Sequence, residues 1–291
     1  MVIRPYIALL KLRIGLMIAL TAAMGYVAVA PHVHAAEMAL LVLVMTLGSA
    51  SASVFNHFYD RDIDRLMLRT RERLLARDGL AHPAWVLLLA AALLVVGVGI
   101  AAYTLNVVVA IHLFLGAFFY AIVYTVWLKR RTWLNIVIGG AAGSFAVLAG
   151  GAAVDPQQWL LPLLLAITLF LWTPSHFWAL AILLKEDYAR ARLPMLPVVV
   201  GEAATAKAIL ANSVLMVASA ALPWVFGRLG PVYAVLSTLL GLALLLADWR
   251  LVRDPGRLWA RRNFLGSMQY LAGLFVAVLI DVNVAGPGIA G

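Results

Sequence analysis

The sequence predicts an all-α integral membrane protein with nine transmembrane helices, and three observations carry that prediction. Of the 291 residues, 65% are hydrophobic and only 12% are charged, a composition far from that of soluble domains. The mean hydropathy is +0.99, which at roughly 20 residues per crossing leaves almost no chain for a soluble domain. The basic residues, finally, border the apolar runs in the way that membrane topology requires.

Nine apolar runs, separated by charged or turn-forming residues, are long enough to cross a bilayer. Neither a soluble linker nor a repeat divides them, so residues 1–291 are predicted to form a single transmembrane domain. We expect spans at 12–31, 36–56, 83–103, 106–127, 133–153, 158–184, 203–226, 230–250 and 264–285.

The positions of the basic residues test this number of spans. With nine spans, 21 of the 22 Lys and Arg residues fall on one side of the membrane, and Arg228 alone falls on the other. Because basic loops stay in the cytoplasm, we expect a cytoplasmic amino terminus and an external carboxyl terminus. The same arrangement argues against a nucleic-acid partner, since such a protein gathers its basic residues on a soluble face.

The chain contains no cysteine. This excludes disulfide frameworks, thiolate nucleophiles, iron–sulfur ligation and cysteine-based zinc sites. Any metal is therefore bound by carboxylate, amide or imidazole groups.

A dense charged cluster follows the second span, with the sequence NHFYDRDIDRLMLRTRER at 56–73. If the helix continues through it, Asn56, Asp60 and Asp64 lie four residues apart on one face. Such a set of oxygen ligands suits Mg²⁺, which keeps several waters and bridges to substrate phosphates. The nearby Arg69 and Arg73 could then hold phosphate oxygens.

The structural alternative is a solvated helix at the membrane surface. Its charges would pair along the helix, for example Asp62 with Arg65, and its arginines would contact anionic lipids.

The cluster also resembles the N-x-x-x-D-x-x-x-D signature of the UbiA superfamily of intramembrane prenyltransferases, and DRDIDRLMLRT resembles its haem O synthase (protoheme IX farnesyltransferase) branch. The similarity continues in order from about Lys11 to Asp281. It implies a helical bundle around a central cavity, in the inner membrane of a bacterial cell. The other matching segments are KLRIGLMIALTAAMGY, YTVWLKRRTWLNIVIGGAAGS, TPSHFWALAILLKEDYARARLPMLPVVVG and RLWARRNFLGSMQYLAGLFVAVLID.

The resemblance implies transfer of a farnesyl group from farnesyl diphosphate to a vinyl group of haem b. Water addition completes haem O, and a haem A synthase or a terminal oxidase is the expected downstream partner. Asn56, Asp60 and Asp64 become the catalytic residues that bind Mg²⁺ and diphosphate, supported by Arg69 and Arg73. Aromatic faces could stabilise positive charge in the cavity, and the candidates are Phe58, Tyr59, Phe118, Tyr120, Tyr124 and Trp172.

The loop between spans six and seven carries the next candidates. Other superfamily branches have a second spaced aspartate pair here, whereas this chain has adjacent Glu186 and Asp187. Adjacent side chains do not share a helix face, so the pattern does not copy the first site. By resemblance, Asp187 and Tyr188 are assigned to the catalytic residues.

Three residues near the loop between spans four and five are candidates for substrate binding. Lys129 and Arg130 could bind diphosphate or haem propionates, although such a basic run also anchors topology. Asn135 lies within the string that matches the family.

His176 falls near the middle of span six, where an imidazole is costly without a partner. It is a candidate ligand of haem iron or proton carrier. It could equally be hydrogen-bonded to a neighbouring helix. His57 beside the acidic face and His112 are weaker candidates.

Two other functions remain open. A UbiA-type enzyme acting on an aromatic quinone precursor predicts a second spaced carboxylate pair, which the six-to-seven loop lacks. A transporter or haem-handling protein predicts interrupted helices and ionic residues near the midplane, whereas these carboxylates crowd one rim.

Overall fold

A computed structural model describes residues 3–77 and 84–285. Within these residues nine helices are long and apolar enough to span a membrane, which confirms the predicted fold class. They are Leu12–Val29 (α1), Ala35–Tyr59 (α2), Ala84–Leu105 (α3), Val107–Leu128 (α4), Asn135–Val154 (α5), Leu160–Leu183 (α6), Gly201–Val225 (α7), Pro231–Arg253 (α8) and Arg257–Val284 (α9).

The helix ends lie close to the expected span ends, with one exception. Helix α9 begins at Arg257 rather than at 264, because Arg257, Arg261 and Arg262 occupy its first two turns. Helix formation tolerates arginine well, whereas the hydrocarbon core does not, so a boundary drawn from hydropathy comes too late. The expected start of the third span, residue 83, lies outside the described residues.

The helices surround a central cavity of about 850 Å³. Neighbours in sequence pack against one another, α9 returns to α1, and α1 also packs along α5. The cavity is lined by α1, α2, α4, α5, α6 and α9. The central cavity implied by the family resemblance is therefore present.

Two glycines set the close approach of α1 and α5. A Cβ on Gly25 would lie 2.1 Å from the carbonyl oxygen of Val147, and a Cβ on Gly150 would lie 1.8 Å from that of Ala22. Small residues at such contacts allow backbones to pack closely within a membrane. This contact fixes one wall of the cavity.

The second half of α4 is a π-helix over Phe119–Leu128. Its wider turn continues to Lys129, whose backbone N–H donates to the carbonyl of Tyr124 at 2.8 Å. Short π-helical segments occur frequently at functional sites. Here the segment carries Tyr120 and Tyr124 on the cavity wall and ends at Lys129.

Short helices cover one end of the bundle. Arg61–Asp64 and Leu74–Arg77 belong to the connection between α2 and α3. Lys185–Arg190 and Leu196–Val199 belong to the connection between α6 and α7. A further helix, Ile3–Leu9, precedes α1.

Candidate active site

The end of α2 brings the three predicted oxygen ligands together. The regular helix stops at Tyr59 and Asp60 adopts φ −89° and ψ 5°, yet the N–H groups of Asp60 and Asp64 still donate to the carbonyls four residues earlier. The helical spacing is therefore nearly preserved. Asn56, Asp60 and Asp64 are 3%, 0% and 2% exposed, and Nδ2 of Asn56 donates to Oδ2 of Asp60 at 2.6 Å.

Each of these three side chains contacts a cationic side chain. Lys129 Nζ lies 2.5 Å from Asp60 Oδ2, and an Arg73 guanidinium nitrogen lies 2.8 Å from Asp64 Oδ2. Buried carboxylates are costly without such compensation. The predicted role of Arg73 beside the acidic residues is thus consistent with its position.

Lys11 is the third cation, and the sequence reasoning missed it. Its Nζ donates to Oδ1 of Asn56 at 2.9 Å, and the residue adopts a left-handed φ of 43° at the start of α1. Burial lowers the pKa of the Lys11 amine to about 7, with further lowering from the charges of Arg73 and Lys129. Lys11 opens the matching segment KLRIGLMIALTAAMGY, but it was interpreted only as a topology residue.

Lys129 follows the end of α4 and is held there by Asn135 at the start of α5. Nδ2 of Asn135 donates to the Lys129 carbonyl at 3.3 Å, and Asn135 is fully buried. Thr125, on the π-helical segment, accepts a hydrogen bond of 3.3 Å from Nδ2 of Asn56. No sequence signal identified Thr125, because its contact with Asn56 spans 69 positions.

Arg130 forms the outer edge of the cluster. Its two terminal nitrogens each lie 2.7 Å from an oxygen of Asp62, and one also lies 3.4 Å from Asp60. This pairing lowers the pKa of Asp62 and raises that of Arg130. The pairing of Asp62 with Arg65 in the structural alternative is wrong, because Arg65 instead donates to the carbonyl of Ala76 at 2.6 Å.

A second, smaller pocket of about 440 Å³ lies on the loop side of the acidic residues. Arg69, Glu72 and Arg73 line it together with His57. Both ring nitrogens of His57 are buried without a hydrogen-bond partner. The structure therefore places Arg69 near the cluster but gives its side chain no ion pair with Asp60 or Asp64.

Asp187 binds the backbone of the other loop rather than joining the acidic cluster. Its two oxygens accept hydrogen bonds from the N–H groups of Leu68 and Arg69 at 3.1 and 3.3 Å. Arg190 lies 3.2 Å from the same carboxylate. Tyr188 is buried, which raises the pKa of its phenol. The two loops at this end of the bundle are thus linked through Asp187.

The aromatic candidates divide into two groups. Tyr120, Tyr124 and Trp172 line the central cavity, as Lys11 does at one end of it. The other candidates pack elsewhere: Phe58 lies under Arg61, Tyr59 lies under Arg130, and Phe118 packs edge-on against Trp127.

His176 also lines the central cavity. Its Nδ1 lies 2.7 Å from Oγ of Ser267 on α9. Of the interpretations that the sequence left open for His176, the structure shows the hydrogen bond to a neighbouring helix. The residue also lines the cavity.

The oxygen donors present are of the chemical type that a hard divalent cation takes. Within residues 3–77 and 84–285, no three His, Asp or Glu side chains form a complete metal cage. Two buried carboxylates and one amide, surrounded by cationic donors, instead match the incomplete protein ligand set that Mg²⁺ uses with phosphate substrates. In this structure the side-chain nitrogens of Lys11, Arg73 and Lys129 contact these oxygens.

Solved structures of other proteins share this fold. A digeranylgeranylglyceryl phosphate synthase superposes with a TM-score of 0.80 at 18% identity, covering 96% of this chain and 98% of that one. A UbiA homologue from Archaeoglobus fulgidus, bound to GPP and Mg²⁺, gives 0.72 at 20% identity, covering 94% and 99%.

Sequence comparisons identify relatives with a higher identity to this chain than these solved structures have. Protoheme IX farnesyltransferase 1 from Paramagnetospirillum magneticum is 58% identical over 97% of this chain and 99% of its own length. Protoheme IX farnesyltransferase from Brucella anthropi is 40% identical over 97% and 91%. The model of the UbiA prenyltransferase family matches residues 17–277. The chain therefore belongs to the UbiA prenyltransferase family, and is a multi-pass membrane prenyltransferase.

Proposed function

We propose that the protein transfers the farnesyl group of farnesyl diphosphate to a vinyl group of haem b and, with addition of water, makes haem O. One observation carries the proposal: a buried amide and two buried carboxylates, surrounded by cations, lie beside a large apolar cavity. The names of the relatives at 58% and 40% identity support the choice of substrates.

The acidic cluster is proposed to act on the diphosphate. Asn56, Asp60 and Asp64 would hold Mg²⁺, which when bound supplies positive charge for the leaving diphosphate. Lys11 contacts Asn56 and Lys129 contacts Asp60. Both amines would therefore donate hydrogen bonds to a diphosphate bound beside these residues. In a site shielded from water these charges act more strongly than in bulk solvent.

Other cluster residues are assigned supporting roles. We assign Arg69, Arg73 and Arg130 to anion binding and Asn135 to holding Lys129. Asp187 acts by fixing the loop that carries Arg69, and Tyr188 packs beneath that loop.

The transfer itself is proposed to take place in the apolar cavity. The C1–O bond of farnesyl diphosphate breaks and its electron pair leaves with the diphosphate. The terminal vinyl carbon of haem b then bonds to C1. Water adds to the positive carbon left on the vinyl group and releases one proton. The walls exclude other water until C1 has been captured, and the faces of Tyr120, Tyr124 and Trp172 stabilise positive charge.

We further propose that the amino terminus is cytoplasmic and the carboxyl terminus external, in a bacterial inner membrane. The diphosphate site then faces the cytoplasm. The product passes to a haem A synthase or a terminal oxidase.

The test is an assay of the purified full-length protein with haem b, farnesyl diphosphate and Mg²⁺, followed by mass spectrometry of the pigment. The expected product has the mass of haem b plus one farnesyl group and one hydroxyl group, because the added water loses one proton. A parallel assay replaces haem b with an aromatic quinone precursor. Unchanged haem together with a prenylated aromatic product would overturn the proposal.

A further inference from the structure

The imidazole of His176 is clamped between two aromatic rings. Its centroid lies 4.1 Å from that of Trp172 with an interplanar angle of 17°, and 4.6 Å from that of Phe264 with an angle of 27°. The two stacks fix the plane of the imidazole. The contact between Nδ1 and Oγ of Ser267 then distinguishes this orientation from the ring turned by 180°.

The hydrogen bonds of Ser267 favour one tautomer of His176. The hydroxyl of Ser267 can donate its one hydrogen to the carbonyl of Phe264 at 2.8 Å. Its oxygen then accepts from Nδ1 of His176 at 2.7 Å. That arrangement is the tautomer with hydrogen on Nδ1 and a lone pair on Nε2. Trp172, whose Nε1 donates to the Ser267 carbonyl at 2.8 Å, ties the same group together.

Nε2 is the ring nitrogen of His176 that Ser267 does not contact. Within the described part of the chain Nε2 has no hydrogen-bond partner, although His176 lines the cavity. A polar atom among apolar walls is costly unless a ligand satisfies it. His57 and His112 differ: His57 has neither ring nitrogen satisfied, and Nδ1 of His112 is unsatisfied.

An imidazole with these properties is prepared to bind a metal. Histidine ligands of metals almost always donate their other ring N–H to a fixed acceptor, which sets the tautomer and the ring orientation. Histidine is also a common protein ligand of haem iron. Ser267, itself oriented by Phe264, supplies the acceptor here.

We propose that Nε2 of His176 coordinates the iron of the haem substrate in the central cavity, and that Ser267 is the positioning residue for this ligand. The inference rests on the proposed function, because it takes haem as the acceptor. It assigns the haem ring to the part of the cavity between α6 and α9.

The experiment is resonance Raman spectroscopy of ferrous haem b bound to the purified full-length protein, without farnesyl diphosphate. The wild type is expected to show an iron–imidazole stretching band. His176→Ala should lose the band and regain it on addition of free imidazole, which also shows that the cavity has folded. His112→Ala is the matched control, a half-buried histidine that does not line the cavity, and should keep the band.

Ser267→Ala tests the positioning residue. The band should remain but move to lower frequency, since Nδ1–H loses its acceptor, and haem affinity should fall by roughly 10-fold or more. A purely structural effect of Ser267 would leave the frequency unchanged, and that result would overturn its assigned role.

Several results would overturn the iron ligand. These are a band that persists in His176→Ala, a band lost in His112→Ala, or a wild type that binds haem without the band. A parallel assay of haem O formation separates the two proposals. Product formed without iron–imidazole ligation overturns this inference alone, whereas no product and no haem binding overturn the proposed function as well.

Discussion

Lys11 and Asn56 meet between the start of α1 and the end of α2, where Lys11 Nζ donates to Oδ1 of Asn56 at 2.9 Å. The contact turns the amide oxygen toward the half-buried Lys11 amine and leaves the amide nitrogen to donate to Asp60. Lys11 therefore orients Asn56.

We expect Lys11→Met to lower kcat/KM for farnesyl diphosphate by about 10- to 100-fold, the range expected for loss of one hydrogen bond to a charged group. Steady-state assays with purified protein measure this. Arg13→Met is the control, since Arg13 is exposed on α1 and should tolerate the change. Equal activity of both variants would remove Lys11 from the site.

Asp60→Asn and Asp64→Asn should each reduce turnover by about 100-fold or more, because the oxygen ligands lose their charge while the side-chain volume is kept. Folded protein should still be recovered from the membrane fraction. Asp62→Asn is the matched control, with a side chain that is 60% exposed. Its effect should stay below about fivefold, as for a surface ion pair. Near-normal rates for Asp60→Asn and Asp64→Asn would exclude the proposed metal role.

Removal of divalent ions with a chelator should abolish turnover without unfolding the protein. Lys129 and Arg73 already compensate Asp60 and Asp64, so folding does not require the metal. Thermal melting in detergent should change little, and added Mg²⁺ should restore activity. A large drop in melting temperature on chelation would contradict this, as would full activity in the chelator.

Asp187→Ala should raise KM for farnesyl diphosphate by about fivefold, because two backbone hydrogen bonds that hold Leu68 and Arg69 are lost. Asp187→Asn keeps one acceptor oxygen and should have a smaller effect. Glu186→Ala, at the exposed neighbouring position, is the control. If kcat falls instead while KM stays constant, Asp187 acts in the chemical step itself.

Gly150→Ala should destabilise the bundle by about 1–3 kcal/mol, since the new methyl group would meet the backbone of Ala22 at 1.8 Å. Gly143→Ala is the control on the same helix, because its nearest neighbour is a Leu169 methyl at 3.8 Å. Thermal melting of the two purified variants provides the comparison. Identical melting temperatures would show that α1 and α5 can separate at this point.

Local sequence rules predicted much of the molecule because they depend on neighbours in the chain. Apolar run length determines where a helix can cross a bilayer, and four-residue spacing determines that Asn56, Asp60 and Asp64 share a face. The same rules placed the start of α9 too late and interpreted Lys11 only as a topology residue, since neither hydropathy nor the positive-inside rule records what a side chain contacts.

The sequence by itself thus determined the membrane class, the number of spans and the charged segment that carries the candidate site. Only the tertiary structure decided that Asp60 pairs with Lys129, that Asp62 pairs with Arg130 rather than Arg65, and that His176 contacts Ser267. These contacts join residues that are 68 to 91 positions apart in the sequence. For Asp62, several arginines nearby in the sequence were alternative partners. Their geometry arises from how the helices pack, and no local pattern encodes that packing.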